Sequence, residues 1–114
     1  MDPEFARGLL RSERNQAMHR LNDLGRSFDD IVEAALDSNG DDEHDVEGVS
    51  VAVIRAQVAG LMAADRSKIE QIEEAVRRLD AGTYGQCLRC GMAIPRDRLV
   101  ARPFTPWCVG CAGA

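Results

Sequence analysis

Apolar residues recur through the first third of the chain at Leu10, Ala17, Leu21, Leu24, Phe28, Ile31 and Ala35. Steps of three, four and seven residues put them on one stripe of an α-helix and predict a coiled-coil seam over residues 6–37. A second stripe runs through Val51, Ile54, Val58 and Leu61, then Ile69, Ile72, Val76 and Leu79, and the broken spacing predicts a register shift near Asp65. Between the stripes, Asn39-Gly40 stops one helix, and Asp45 or Ser50 can cap the next. Two long helices joined by residues 38–48 make an antiparallel hairpin within one chain. Gly82 then ends the second helix as a left-handed cap. The pattern predicts a mainly α fold: a long helical hairpin (coiled coil) over residues 6–81, with its tip at 38–48, followed by a small globule over 82–114. Met18, Met62 and Met92 read as packing residues. Residues 1–5, Met-Asp-Pro-Glu-Phe, read like the remnant of a cloning site and are left outside the predicted fold.

Composition narrows the class. In 114 residues there are 3 Phe, 1 Tyr and 1 Trp, too few aromatics for a sheet-rich globule, so aliphatic seams must supply the core. A net charge of -5 gives no general reason to expect nucleic-acid binding. No apolar run approaches about 20 residues and no signal segment opens the chain, so the reading is a cytoplasmic protein without membrane attachment. Charge is unevenly distributed. Asp37, Asp41, Asp42, Glu43, Asp45 and Glu47 crowd the hairpin tip with no Lys or Arg among them, whereas Arg89, Arg96, Arg98 and Arg102 lie in the C-terminal segment.

The C-terminal segment carries the clearest chemistry. Cys87, Cys90, Cys108 and Cys111 form two Cys-x2-Cys pairs with 17 residues between Cys90 and Cys108. Each short spacing lets a backbone knuckle aim two sulfurs at one ion, and two knuckles complete a tetrahedral thiolate site for one structural Zn2+. A disulfide within either knuckle would be strained. Four protein ligands leave no open position on the metal, and no nucleophile and base pair is evident, so an enzyme is not expected. Phe104 and Trp107 flank the second knuckle and are expected to cover the metal.

The run Gly82-Thr83-Tyr84-Gly85-x-Cys87-x-x-Cys90-Gly91-x-x-Ile94-Pro95-x-x-Arg98-Leu99, followed by Ala101-x-Pro103 and Cys108-x-x-Cys111, resembles the zinc-finger signature of the DksA/TraR family. The upstream hairpin with its acidic tip is similar to that family too. The resemblance implies a transcription regulator that binds bacterial RNA polymerase rather than DNA. Its coiled-coil tip would enter the secondary channel near the catalytic magnesium. The family's tip pattern, Asp-x-x-Asp-x-Ala, maps its acids onto Asp42 and Asp45, with Glu47 at the alanine position and Asp41 and Glu43 as neighbouring carboxylates. Arg89, Arg96, Arg98 and Arg102 either dock on the polymerase or offset the negative charge of the zinc tetrathiolate. Longer members have a helix after the last cysteine and a segment before the hairpin, which help bind polymerase and ppGpp. Only Ala112, Gly113 and Ala114 follow Cys111, so synergy with ppGpp is not expected.

Two other classes compete. One is a nucleic-acid-binding zinc module that uses the arginine-bearing finger, which the carboxylate-rich tip opposes by repelling phosphates. The other is a plain protein-interaction module whose helices pair between chains. The expected state is a monomer with no sequence-specific DNA binding.

Overall fold

The computed structural model describes residues 1–38 and 45–113, with side chains for 1–30, 32–34 and 51–113. Among the described residues there are four helices: α1 (Pro3–Ser38), α2 (Asp45–Ala81), α3 (Arg96–Ala101) and α4 (Val109–Ala112). Asp41, Asp42 and Glu43 lie outside the described residues. Asp45 is the first residue of α2, but its side chain, like that of Ser50, lies outside them too.

Pro3, Glu4 and Phe5 are the first residues of α1. Asp2 accepts the Glu4 amide on its carboxylate at 3.3 Å and the Ala6 amide on its carbonyl at 3.0 Å. Pro3 follows as the first helical residue, where its fixed φ suits the helix and its missing N–H leaves no donor unpaired.

The chain divides into two compact units, one of Ala17–Arg66 and the other of Met1–Gln16 with Ser67–Ala114. In the first, α1 and α2 run antiparallel. Ala17 is buried there, with Leu21, Leu24 and Phe28 of α1 and Val51, Ile54, Val58 and Met62 of α2 half-buried. Arg20 Nε and Nη2 both lie 3.0 Å from Asp65 Oδ1, and the Arg55 guanidinium stands 5.8 Å from the centre of the Phe28 ring. In the second unit the helices are again antiparallel, marked by ion pairs of 2.9 Å between Arg7 and Asp80 and between Glu13 and Lys68. Its core joins Leu10, Ile72, Ala75 and Phe104, with Val76, Leu79 and Tyr84 against them.

One stripe of α2 runs unbroken through Asp65, while its companion steps eight residues from Ile54 to Met62 before continuing at Ile69 and Val76. Val51, Val58, Asp65, Ile72 and Leu79 are all at least half-buried, one every seven residues. Asp65 itself occupies the seam and is only 8% exposed, so a carboxylate hid the repeat from a search for apolar positions. Leu61, placed in the seam by spacing, is 56% exposed. Met18 and Met92 are also exposed, against the expectation of packing.

At the end of α2, Gly82 adopts φ 80°. The Thr83 amide reaches back to the Arg78 carbonyl at 2.9 Å and the Gly82 amide to the Leu79 carbonyl at 3.2 Å. This is a Schellman termination, and a side chain at that φ would strain it. The chain is thereby turned out of the helix straight into the first cysteine knuckle.

Candidate metal centre

The first knuckle is a short backbone hairpin. Gln86 and Ala93 pair across it, the Cys87 amide donates to the Met92 carbonyl at 2.8 Å, and the Ile94 amide donates to the Gly85 carbonyl at 2.7 Å. Gly91, at φ 76°, makes the tight reversal by donating its amide to the Cys87 carbonyl at 2.9 Å. The second knuckle is the entry to α4, where the Cys108 carbonyl accepts from Cys111 at 3.1 Å and Ala112 at 2.9 Å. A bond of 2.8 Å from the Leu88 amide to the Pro106 carbonyl sets the two knuckles against each other.

This brings the four predicted ligands together. All four sulfurs lie within 4.8 Å of one another, and Cys90 Sγ and Cys108 Sγ are 3.8 Å apart. A tetrahedron with Zn–S bonds of about 2.3 Å has edges of about 3.8 Å, so the spacing fits zinc. No cysteine is in a disulfide. Burial raises the Cys87 thiol, but backbone N–H groups of Cys108, Cys90 and Arg89 overcome it and hold Cys87 down at about 6. Hydrogen bonds with the Cys108 and Cys87 sulfurs push Cys111 up to about 12. Four sulfurs this close cannot all ionise by themselves, and a divalent cation removes that conflict. Cys87, Cys90, Cys108 and Cys111 thus hold one structural zinc, whose chemistry is to crosslink the two knuckles.

The metal site rests on a second apolar cluster of Cys87, Ile94 and Leu99, packed by Tyr84, Cys108 and Cys111. Phe104 is not part of it. Its ring packs against Leu10, Ile72 and Ala75 of the helices, correcting its expected role as a cover for the metal. Pro103 and Thr105 beside it are buried as well, so this segment turns toward α1 and α2 before returning to Cys108. Trp107 is 38% exposed and has the Arg89 guanidinium 5.2 Å from its ring centre.

The four finger arginines are all engaged within the chain. Arg89 Nη1 donates to the Cys111 carbonyl at 3.2 Å. Arg98 donates from Nε to the Trp107 carbonyl at 2.9 Å and from Nη2 to Thr105 Oγ1 at 3.3 Å. Both therefore brace backbone next to ligating cysteines. Arg96 lies 5.6 Å from the centre of the Phe5 ring and Arg102 lies 5.5 Å from that of Phe104. Sequence reasoning missed the carbonyl bonds of Arg89 and Arg98, because neither acceptor depends on side-chain identity. It also missed Lys68, which pairs with Glu13 and stands 5.3 Å from the centre of the Phe104 ring.

A helical protein closed by a C4 zinc finger is the class that this geometry defines, and comparison with known proteins narrows it. Residues 82–114 match the family model described as the prokaryotic dksA/traR C4-type zinc finger. The chain is 46% identical over 44 residues to an uncharacterised protein of Aquifex aeolicus, covering 39% of this chain and 30% of that one. It is 33% identical over 67 residues to general stress protein 16O of Bacillus subtilis, covering 59% and 41%. To the RNA polymerase-binding transcription factor DksA of Escherichia coli it is 27% identical over 110 residues, covering 95% and 62%. The structure of transcription factor DksA2 from Pseudomonas aeruginosa superposes with a TM-score of 0.78 at 26% identity, over 97% of this chain and 80% of that one. The C-terminal finger is thus of the DksA/TraR C4 type, and along most of its length the chain is similar to DksA proteins. It spans 30% to 62% of the length of these curated relatives. Among the described residues, no helix is long and apolar enough to cross a membrane.

Proposed function

We propose that this protein is a transcription factor that acts by binding RNA polymerase. The observation that carries this reading is the likeness to transcription factor DksA2 over 97% of the chain, which takes in both long helices as well as the finger. The RNA polymerase-binding factor DksA supports it through a match over 95% of the chain. In this reading the zinc stiffens a base that docks on the enzyme. The hairpin tip at 38–48 brings its carboxylates, Asp42 and Asp45 first and Asp41 and Glu43 beside them, through the secondary channel toward the catalytic magnesium. Carboxylate oxygens are hard ligands suited to magnesium or to the basic groups around it. The protein acts by perturbing the polymerase's active centre and catalyses no step of its own.

The rival reading of a nucleic-acid-binding finger draws less support, since Arg89 and Arg98 donate to carbonyls of their own finger. The test is binding of the purified, zinc-loaded chain to core RNA polymerase in the absence of DNA, followed by run-off transcription. Binding at micromolar concentration or tighter together with altered transcript yield supports the proposal. Absence of binding, or salt-sensitive binding to free DNA in its place, overturns it.

A further inference from the structure

We propose that Arg89 and Trp107 act together as a clamp across the two cysteine knuckles that slows the release of zinc. Arg89 stands inside the first knuckle, between Cys87 and Cys90, and reaches the second at two points. Its Nη1 donates to the Cys111 carbonyl at 3.2 Å, and its guanidinium carbon lies 5.2 Å from the centre of the Trp107 ring, one residue before Cys108. The side chain thus touches the second ligand pair on both of its flanks.

The four ligands are unequally covered. Cys87 is buried, Cys108 and Cys111 are half-buried and Cys90 is exposed. A competing chelator therefore meets the Cys90 sulfur first, and one of its donor atoms takes the place of a cysteine sulfur that departs as a thiolate. Each knuckle holds its own two sulfurs together through a short stretch of backbone, so the exchange is completed only when the knuckles part. The 2.8 Å bond from the Leu88 amide to the Pro106 carbonyl opposes that parting ahead of Cys108, and Arg89 opposes it at Cys111.

Both ends of the clamp are anchored. The Cys111 carbonyl belongs to the last turn of α4, where helical carbonyls lack their usual donors, and Arg89 joins the Gly113 amide as its partner. Trp107 is held by its own backbone: its amide is bonded to Thr105 Oγ1 at 3.4 Å and its carbonyl accepts from Arg98 Nε at 2.9 Å. A guanidinium within about 6 Å of an indole face is attracted by the ring's charge distribution. Arg89 is thus a positioning residue for the metal site, acting through Cys111 and Trp107. Arg96 carries the same charge in the same segment but stands over the Phe5 ring instead.

The test follows transfer of zinc from the full, zinc-loaded chain to the chromophoric chelator pyridylazoresorcinol. Arg89→Gln should release zinc about tenfold faster than the parent or more. Arg89→Lys keeps the charge but cannot stack and donate at once, so its release should still be faster by about threefold or more. Trp107→Leu removes the ring without changing charge and should accelerate release about as much as Arg89→Gln. The double variant should be within about threefold of either single one, because both lose the same clamp. Arg96→Gln should match the parent. Circular dichroism and a content of one zinc per chain check the fold, and if Trp107→Leu fails that check, Arg89→Lys decides between clamp and charge. Release from Arg89→Gln at the parent's rate overturns the proposal. So does parent-like release from Arg89→Lys or from folded Trp107→Leu, which would leave Arg89 as an offset to the thiolate charge. Equal acceleration in Arg96→Gln, or effects that multiply in the double variant, overturns it too.

Discussion

The Tyr84 hydroxyl donates a 2.8 Å hydrogen bond to the Pro103 carbonyl, tying the exit from α2 to the segment that carries Phe104. Tyr84 packs against both apolar clusters, the helical one around Leu10 and Ile72 and the finger cluster around Cys87 and Leu99. Pro103 is fully buried, so its carbonyl has little access to water when that donor is removed. Tyr84→Phe should therefore lower unfolding free energy by about 1–2 kcal/mol with zinc bound. Burial also raises the Tyr84 phenol above its ordinary range, so the folded chain holds this proton more firmly than the unfolded chain. That contribution is complete below a pH of about 10 and is lost as pH rises through the raised folded value. Urea titrations of both proteins between neutral pH and pH 11 should show the alkaline fall shallower in Tyr84→Phe. Equal stability and equal alkaline slopes would rule out this role.

Phe104 couples the finger to the helices. Replacing it with Ala should cost about 3–5 kcal/mol through lost burial and the cavity left against Leu10 and Ile72. The four sulfurs do not depend on that ring, so zinc content should remain one per chain. Thermal unfolding combined with metal analysis checks the separation. Loss of zinc along with stability would mean that Phe104 supports the metal site after all.

Zinc removal should unfold the segment after Gly82, because such sites contribute an apparent 10–16 kcal/mol or so, comparable with the whole stability of a small domain. Much of the α1 and α2 helicity should survive. Chelation should also expose Leu10 and Ile72, since Phe104 would leave them. Hydrogen exchange should thus accelerate near both residues, and much less around Ala17–Arg66. Unchanged exchange at Leu10 and Ile72 in the chelated protein would contradict the coupling.

Arg20 and Asp65 form a part-buried ion pair in the helical seam, with the Asp65 side chain 12% and the Arg20 side chain 46% exposed. Removing the two partners should have unequal effects. Arg20→Ala leaves a desolvated carboxylate without its partner and should destabilise the protein by about 1–3 kcal/mol. Asp65→Leu frees an arginine that can extend into water and fills the seam with apolar volume, so it should be neutral or stabilising by about 1–2 kcal/mol. Chemical denaturation should rank Asp65→Leu first, the parent second and Arg20→Ala last. The reverse order of the two variants would show that the pair is worth more than the burial that replaces it.

For the loop, Asp42→Asn with Asp45→Asn should leave polymerase affinity within about threefold while abolishing the effect on run-off transcription. The substitutions keep size and hydrogen-bonding capacity and remove only charge. A variant that regulates as well as the parent would reduce the acidic loop to a solvated connection.

Much of this protein was legible in one dimension because the relevant signals are local. The seam at Leu10, Ala17, Leu21, Leu24 and Phe28, the termination at Gly82 and the pairing of Cys87 with Cys90 and Cys108 with Cys111 each span a few residues, and spacing alone identified them. Four thiolates at that spacing also determined the metal, because a cation of tetrahedral preference is what lets them share so small a volume. Tertiary structure decided where non-local partners fall. Phe104 is adjacent in sequence to the finger, yet it serves the helices, because the backbone at Pro103 turns its ring toward Leu10, which lies far away in sequence. Asp65 looked like a break in periodicity and proved to be part of it, since burial of a carboxylate depends on Arg20 reaching it from α1. Arg89 and Arg98 read as polymerase-docking groups or as offsets to the charge of the zinc thiolates, and only the fold brought backbone carbonyls within their reach, an acceptor that every residue carries and no sequence pattern reveals.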